Sequence, residues 1–431
     1  MTTSRSREQL FVWVWLPGAT EPVVAGSVNR SGATFQGQEV LLFTYARSYR
    51  ERERAISLFV PELPLESGTF DPTDSVRLPA GALGRRRSPL PMHSCLRDAA
   101  PDAWGRRVIN LRLAGNPEAE LSELTYLAGS GSDRIGALDF QDSPTRYEHR
   151  GEGATLDQLI EAAELIEAGQ SLPEGLLAAA GHGTSIGGAR PKALLSDGDR
   201  HLIAKFPSTT DTRPVVKAEA VSMLMAARVG VDVAPVGLRT VNGKDVLLVE
   251  RFDRPGNGTR RLVLSALTVL GLSEMESRHS SYAEIARVVR AGAWTAPDDA
   301  LRELYLRLVF NVCVGNTDDH LRNHAVFWDG VNATLTPAYD LAPQPRSTQV
   351  ATHAIGITSN GERASQLRLC RQVAPEFHLS SSDADDVIDH TVSTIKKTWD
   401  EVCDEALLTG AERTSLWGRE FLNPYIFCDN A

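Results

Sequence analysis

The stretch that most constrains this chain is FNVCVGNTDDHLRNHAVFWDGVNATLTPAYDLAP, from Phe310 to Pro343. An apolar, helix-like run from Leu301 to Val314 breaks at Gly315-Asn316. It then delivers Asp318, Asp319, His320, Arg322, Asn323 and His324 within seven residues. A short strand pattern (Ala325 to Trp328) and an Asp-Gly turn follow, and Leu335 leads into Asp340 between Tyr339 and Leu341. Charged groups packed between apolar elements need partners, because a buried charge without one is costly. A solvated loop between a helix and a hairpin is the ordinary account of such a stretch. The spacing argues for more. Asp318 followed five residues later by Asn323 matches the DxxxxN of a phosphoryl-transfer catalytic loop, and Asp340 stands where a metal-binding Asp would follow.

The rest of the chain sets the bounds. At 431 residues it has room for two or three domains and a sizeable core. With 42% hydrophobic and 23% charged residues it reads as an ordinary soluble globular protein. A net charge of −10 argues against wholesale nucleic-acid binding. The five cysteines are far apart with no CxxC spacing, which suits a reducing cytosol and argues against a thiolate metal site. No run of about 18 apolar residues is present, so no membrane span is expected. The opening MTTSRSREQL lacks the apolar core of a signal peptide, and the expected location is cytoplasmic.

Periodicity predicts a small sheet within the first ~60 residues, from an apolar pattern over Leu10 to Val24 and strands over Glu39–Tyr45 and Ala55–Val60. Helices are predicted over Asp98–Gly115, which opens with Pro101-Asp102, and over Glu118–Gly129. SGSDRIGALDF (Ser130 to Phe140) reads as a turn into a strand, with a boundary near residues 146–155. Leu156–Gly169 is helical by its 3.6 period. Two hairpins, around Asp197-Gly198-Asp199 and Asn242-Gly243, flank a helix over Val215–Val229. From Leu264 onward helices dominate: Ser281–Ala291, Ala300–Val314, Asp383–Ala406 and Glu412–Tyr425.

Four pieces of the second half carry one chemistry. TSIGGARPK (Thr184 to Lys192) is a glycine-rich loop whose backbone N–H groups could face phosphate oxygens, though alone it reads as a plain turn. Lys205, among the apolar residues of Leu202–Phe206, would need a charged partner on the inner face of its strand. A nucleotide phosphate would serve, with Glu219 on the next helix orienting the lysine. LLVERFDR (Leu247 to Arg254) resembles a hinge where an adenine could meet the backbone, or equally a strand end with a salt-bridged loop. The opening stretch supplies a base and oxygen ligands suited to Mg²⁺. Taken in order, these are the parts of a protein-kinase fold. A competing reading makes Asp318, His320 and His324 transition-metal ligands of a hydrolase, but paired histidines at i, i+4 require a helix where the sequence favours a loop.

At these residues the chain resembles the HipA family of toxin serine/threonine kinases, through TSIGGARPKALL, IAKFP, LLVERFDR, NTDDHLRNHAVF and LTPAYDLAP in the family's order. ISLFVPEL, LRDAAPDAWGRRVI and SGSDRIGALDF extend the resemblance into the first half. It implies an α+β, protein-kinase-like two-lobed fold with a β-rich N-terminal region and small lobe and an all-helical C-terminal lobe. The expected divisions are residues 1–145, 146–260 and 261–431. It further implies ATP and Mg²⁺ as cofactors and Asp318 as catalytic base, with Asn323 and Asp340 as metal ligands. Gly187, Gly188, Ala189, Arg190, Pro191 and Lys192 would form the phosphate loop, and Lys205 would contact phosphate. Glu250, Arg251 and Phe252 would line the adenine site, with His320, Arg322 and Tyr339 also at the nucleotide.

Relatives of this kind autophosphorylate a serine in the glycine loop. Here Gly187 stands at that place and Ser185 lies two residues earlier, so Ser185 is the expected acceptor. A phosphate there would repel those of ATP. Arg190-Pro191 replaces a Gln-Glu pair, Asp319 stands where Gly is usual and Arg322 where Lys is common; none of these removes the base or a metal ligand. The implied partners are a small HipB-like DNA-binding antitoxin, through which DNA is reached only indirectly, and a protein substrate such as an aminoacyl-tRNA synthetase. A catalytically silent, antitoxin-binding co-repressor is the non-enzymatic alternative. Trp104 and Arg106-Arg107 are expected on a helix with a buried Trp and solvated Arg.

Overall fold

The alternating N-terminal sequence closes into an antiparallel five-stranded sheet, ordered β4-β3-β2-β1-β5, in the computed structural model, which describes residues 7–74, 87–151, 154–170, 172–173, 176, 190–346 and 348–428. Its strands are β1 (Gln9–Val14), β2 (Val23–Phe35), β3 (Gln38–Tyr45), β4 (Thr69–Phe70) and β5 (Leu138–Gln141). Strand β2 continues through the polar Asn29–Gly32, where an apolar pattern does not reveal it, and shifts register between Arg30 and Thr34. The predicted strand at Ala55–Val60 does not form. Its backbone is satisfied by side chains instead: Leu58 N–H donates to the Tyr45 hydroxyl at 2.9 Å, Tyr49 donates to Ile56 O at 2.9 Å, and Trp328 Nε1 to Ser57 O at 2.9 Å. Buried polar backbone needs partners, and hydroxyls and an indole serve here in place of a neighbouring strand.

A second sheet, β6-β7-β9-β8, is built from the two predicted hairpins: β6 (Lys192–Asp197), β7 (Arg200–Lys205), β8 (Val236–Val241) and β9 (Lys244–Glu250). Asn242 and Gly243 both take positive φ, 51° and 75°, as a tight two-residue hairpin turn requires. Alternation along the strands gives the sheet two apolar faces. Leu247 and Val249 pack with the Val215–Val229 helix in the main core. Ala204 and Leu248, on the other face, pack under the Leu156–Glu167 helix and under Trp104 and Val108 of the Ala103–Ala114 helix. The N-terminal region thereby roofs the outer side of this small lobe.

The C-terminal lobe is mainly helical, with helices Tyr282–Ala291, Pro297–Val314 and Ser381–Glu405 around a continuous core. It is not all-helical, however. A three-stranded antiparallel sheet, β10 (Leu262–Ser265), β11 (Ala325–Trp328) and β12 (Ala333–Leu335), has β11 paired on both edges and packs through Leu262, Leu264, Val326 and Ala333 into the core of the N-terminal region. The predicted Glu412–Tyr425 helix is also broken. It forms as Gly410–Leu416 and a 3₁₀ turn, Pro424–Phe427, separated at Gly418, whose φ is 72°. The five cysteines are free thiols. Among the described residues no helix is long and apolar enough to cross a membrane.

Candidate functional site

Three elements distant in sequence meet at Lys205. Its position at the end of β7 aims the ammonium between Glu219 Oε1, at 2.5 Å, and Asp340 Oδ1, at 2.6 Å. Burial opposes the lysine's charge, but the two carboxylates outweigh it and hold the ammonium above its usual range. Lys205 in turn holds Asp340 below the ordinary carboxylate range, while burial pushes Glu219 up. One cation thus serves two acids. Asp340 adopts a left-handed φ of 57°, a conformation uncommon outside glycine although Asp tolerates it. The segment before it is stitched to the small lobe by backbone bonds: Ala234 N–H to Ala338 O at 2.9 Å and Ala338 N–H to Asp232 O at 2.7 Å.

The loop carrying Asp318 begins where the Pro297–Val314 helix ends at Gly315, in the left-handed conformation with φ 72°. A Cβ there would also stand 2.8 Å from Glu420 O, so glycine is required twice over. Asp318 is exposed to solvent, and partial burial together with the nearby Asp340 and Asp319 raises its carboxyl above its ordinary value, against the pull of His320. Asn323 is buried, its N–H donating to His320 O at 2.8 Å. Arg322 points outward to Glu274, with Asp98 3.7 Å away. Tyr339 ties the loop to the Asp340 segment by donating to Arg322 O at 2.6 Å.

A set of supporting residues, not anticipated in the sequence beyond the unusual Asp319, holds this loop from beneath. Asp319 is buried and accepts from Tyr282 Oη, and His324 Nε2 lies 2.9 Å from the same oxygen. Asn311 Nδ2 donates to Tyr282 Oη at 3.0 Å, and Asn316 Nδ2 to Asn311 Oδ1 at 3.1 Å. Burial would raise the Asp319 carboxyl, but His324 and Tyr282 keep it below the ordinary range. The polar chain therefore runs from the helix end through the loop to the start of β11. This also disposes of the paired-histidine metal site. His324 is enclosed against Asp319 and Tyr282 in a loop rather than a helix, and among the described residues no three His, Cys, Asp or Glu side chains are placed to hold a metal.

At the hinge, Phe252 lies with Tyr339 and Phe327, ring centroids 5.5 and 5.7 Å apart respectively. Glu250 closes β9, its N–H donating to Pro235 O. Arg251 goes elsewhere. Its buried guanidinium binds Asp253 and the carbonyls of Asp133 and Arg134, and its N–H donates to His201 O at 2.9 Å. With Arg254 on Asp133 and Asp253, it forms the joint between the hinge and the N-terminal region. Its side chain is a structural pin, turned toward the N-terminal region and Asp253.

Of the expected phosphate loop, Ser185, Gly187, Gly188 and Ala189 lie outside the described residues. Arg190 is exposed and paired with Asp211 through both nitrogens, at 2.9 and 2.6 Å. Pro191 O accepts from Phe206 N–H at 3.0 Å. Lys192 is buried and stands opposite Lys205 across the β6–β7 pair, with its Nζ 2.8 Å from Asp102 of the N-terminal region. Trp104 is buried as expected. Arg106 is not simply solvated, since both its terminal nitrogens bind Glu123, at 2.6 and 2.8 Å.

Comparison with known proteins agrees with this geometry. A family model described as the HipA N-terminal domain matches residues 23–141, and one described as the HipA-like C-terminal domain matches residues 184–399. The protein named "Putative kinase Y4mE" of Sinorhizobium fredii (strain NBRC 101917 / NGR234) is 29% identical over 302 residues, 62% of this chain and 69% of its own. "Putative kinase Y4dM" of the same organism is 30% identical over 153 residues, 32% of this chain and 36% of its own. Among solved structures, a chain of the Shewanella oneidensis MR-1 toxin–antitoxin complex of HipA, HipB and operator DNA superposes with a TM-score of 0.65. That match covers 96% of this chain and 99% of the other at 16% identity, which establishes a shared fold. The α+β, protein-kinase-like two-lobed architecture is therefore that of HipA, and the C-terminal domain match alone takes in half of the sequence. The chain belongs to the HipA family.

Proposed function

We propose that the protein is an ATP- and Mg²⁺-dependent serine/threonine protein kinase of HipA type, transferring the γ-phosphoryl group to a protein hydroxyl. The observation that carries this is the Lys205 ammonium shared between Glu219 and Asp340 at 2.5 and 2.6 Å. A lysine on a strand, ordered by a helix Glu beside a metal-binding Asp, is how protein kinases arrange the phosphate end of the nucleotide. The site also fits a divalent cation. Lys205 is one cation facing two carboxylates, and the Asp318 carboxyl, raised by partial burial and then by Asp340 and Asp319, adds a further acid to the region. Asp340 and Asn323 are the hard oxygen donors that would hold Mg²⁺, and when bound the ion neutralises charge on the phosphate oxygens. Asp318, exposed at the loop tip, would accept the proton of the attacking hydroxyl. Lys205 positions phosphate, and Phe252 with Tyr339 offers aromatic surface for the base.

Three further assignments belong to the same reading. Ser185 is the site of an inactivating autophosphorylation, the protein substrate is a translation protein such as an aminoacyl-tRNA synthetase, and the protein works in the cytoplasm. The structurally similar HipA was solved with HipB and operator DNA. A HipB-like antitoxin is accordingly the proposed partner, and DNA is reached through it, in keeping with the net charge of −10.

Incubation with labelled ATP and Mg²⁺ tests the reading. Wild type is expected to transfer label to itself or to a protein substrate. Asp318→Ala should lose transfer by at least 10²-fold while keeping its fold and its nucleotide binding. A wild type that neither binds ATP nor transfers label would sink the proposal; binding without transfer would favour the silent co-repressor. Label surviving in Ser185→Ala would move the modification elsewhere.

A further inference from the structure

The sequence LRDAAPDAW, Leu96 to Trp104, has no part in the chemistry above, yet it reaches the cleft from the N-terminal region. Asp102 caps the Ala103–Ala114 helix, its Oδ1 accepting from Gly105 N–H at 2.7 Å. Its other oxygen, Oδ2, binds Lys192 Nζ at 2.8 Å. Two residues on, Trp104 donates from Nε1 to the Lys192 carbonyl at 3.2 Å. One helical turn therefore holds both the side chain and the main chain of a single residue in the small lobe. Lys192 is only 4% exposed, so its ammonium gains from the adjacent charge of Asp102. It also faces Lys205 across the hairpin, the lysine bound to Asp340.

The same segment grips the other lobe. Asp98 accepts from Ser265 N–H at 2.7 Å and from Ser265 Oγ at 2.8 Å, and it lies 3.7 Å from Arg322 of the catalytic loop. Between the two grips, Arg134 donates to Ala99 O at 3.1 Å. Seven residues of the N-terminal region, 98–104, are thus bonded to both sides of the cleft.

We propose that Asp98–Trp104 is a strut that sets the nucleotide cleft, in which Asp102 is a positioning residue for Lys192 at the phosphate end and Asp98 fixes the side of the cleft that bears Arg322. This rests on the kinase reading. A lysine on a flexible four-carbon stem loses much rotamer freedom when it binds a phosphate; an anchor that has already fixed it reduces that cost. Asp102→Asn isolates the effect, because asparagine caps a helix as well as aspartate does and nearly matches its shape, while removing the charge.

The experiment is a double-mutant cycle on the full chain, reading affinity for a non-hydrolysable ATP analogue with Mg²⁺ by calorimetry. Asp102→Asn is expected to weaken binding about tenfold, Lys192→Met at least as much, and the double variant no more than Lys192→Met alone. Should Asp102→Asn fail to fold, Trp104→Phe removes only the indole–carbonyl bond. It is expected to weaken binding about two- to threefold with Lys192 present and not at all in Lys192→Met. Binding of Asp102→Asn at wild-type strength, or independent losses that simply add in the double variant, would overturn the strut and leave the kinase reading standing. A wild type that binds no nucleotide removes the kinase reading and the strut together.

Discussion

Asp319 is a carboxylate whose whole environment is protein: the Tyr282 hydroxyl, the His324 ring and, through Tyr282, the Asn311 amide. Removing it leaves a buried hydroxyl and a buried imidazole without their acceptor, and such groups cost more unpaired than the bond contributes when made. Asp319→Ala is therefore expected to lower stability by about 2–4 kcal/mol, read as a lower urea midpoint, and to lower any transferase activity by misplacing Asp318. An unchanged midpoint would show that the buried chain does not support the loop. The residues proposed for the chemistry were legible in the sequence because phosphoryl transfer dictates both their type and their spacing, as for Asp318, Asn323, Lys205 and Asp340. Asp319 and Tyr282 were not legible as a pair, since 37 positions separate them and nothing in either neighbourhood points to the other. Arg251 illustrates the converse. Its place in the hinge stretch suggests the nucleotide, but a guanidinium turned toward Asp133 and Asp253 is invisible in a linear motif.

Among the elements, the end of the Pro297–Val314 helix is the most tightly specified. Gly315→Ala places a Cβ against Glu420 O in a backbone conformation that L residues rarely adopt. It is expected to cost more than about 1 kcal/mol by chemical denaturation, with the loop from Asn316 to Asn323 displaced. A variant as stable as wild type would mean that the close approach relaxes freely. Hairpins closed by Asp-Gly and Asn-Gly were readable because so few residues accept the turn geometry. The two misread elements fail for a common reason: local pattern does not reveal tertiary partners. Ala55–Val60 has the residues of a strand, but Tyr45, Tyr49 and Trp328 take its backbone groups. The Glu412–Tyr425 run has a helical pattern, but Gly418 turns it and Leu422 N–H donates to Cys313 O at 2.7 Å, docking the chain end onto the core.

For the whole molecule, acid is the condition to watch. His353 is buried, with neither ring nitrogen hydrogen-bonded among the described residues, and burial lowers its pKa from 6.5 to about 4; Asp319 pulls it back up and Arg346 pushes it further down. The unfolded chain binds that proton more readily, so the stability contributed by neutral His353 is complete above pH 6.5 and is lost as the pH falls toward 4. The loss amounts to about 3 kcal/mol. Denaturation midpoints across this window should fall with pH, and His353→Leu should flatten that slope; an equal slope in the variant would assign it to other groups.

The backbone bonds that join Ala338 to Asp232 and Ala234 carry a mechanical consequence. Ala338 lies two residues from Asp340, so these bonds hold the Asp340 segment to the lobe that carries Lys205 and Glu219. The contact between Lys205 and Asp340 is thereby backed by main chain as well as by charge, and does not rest on one pair of side chains.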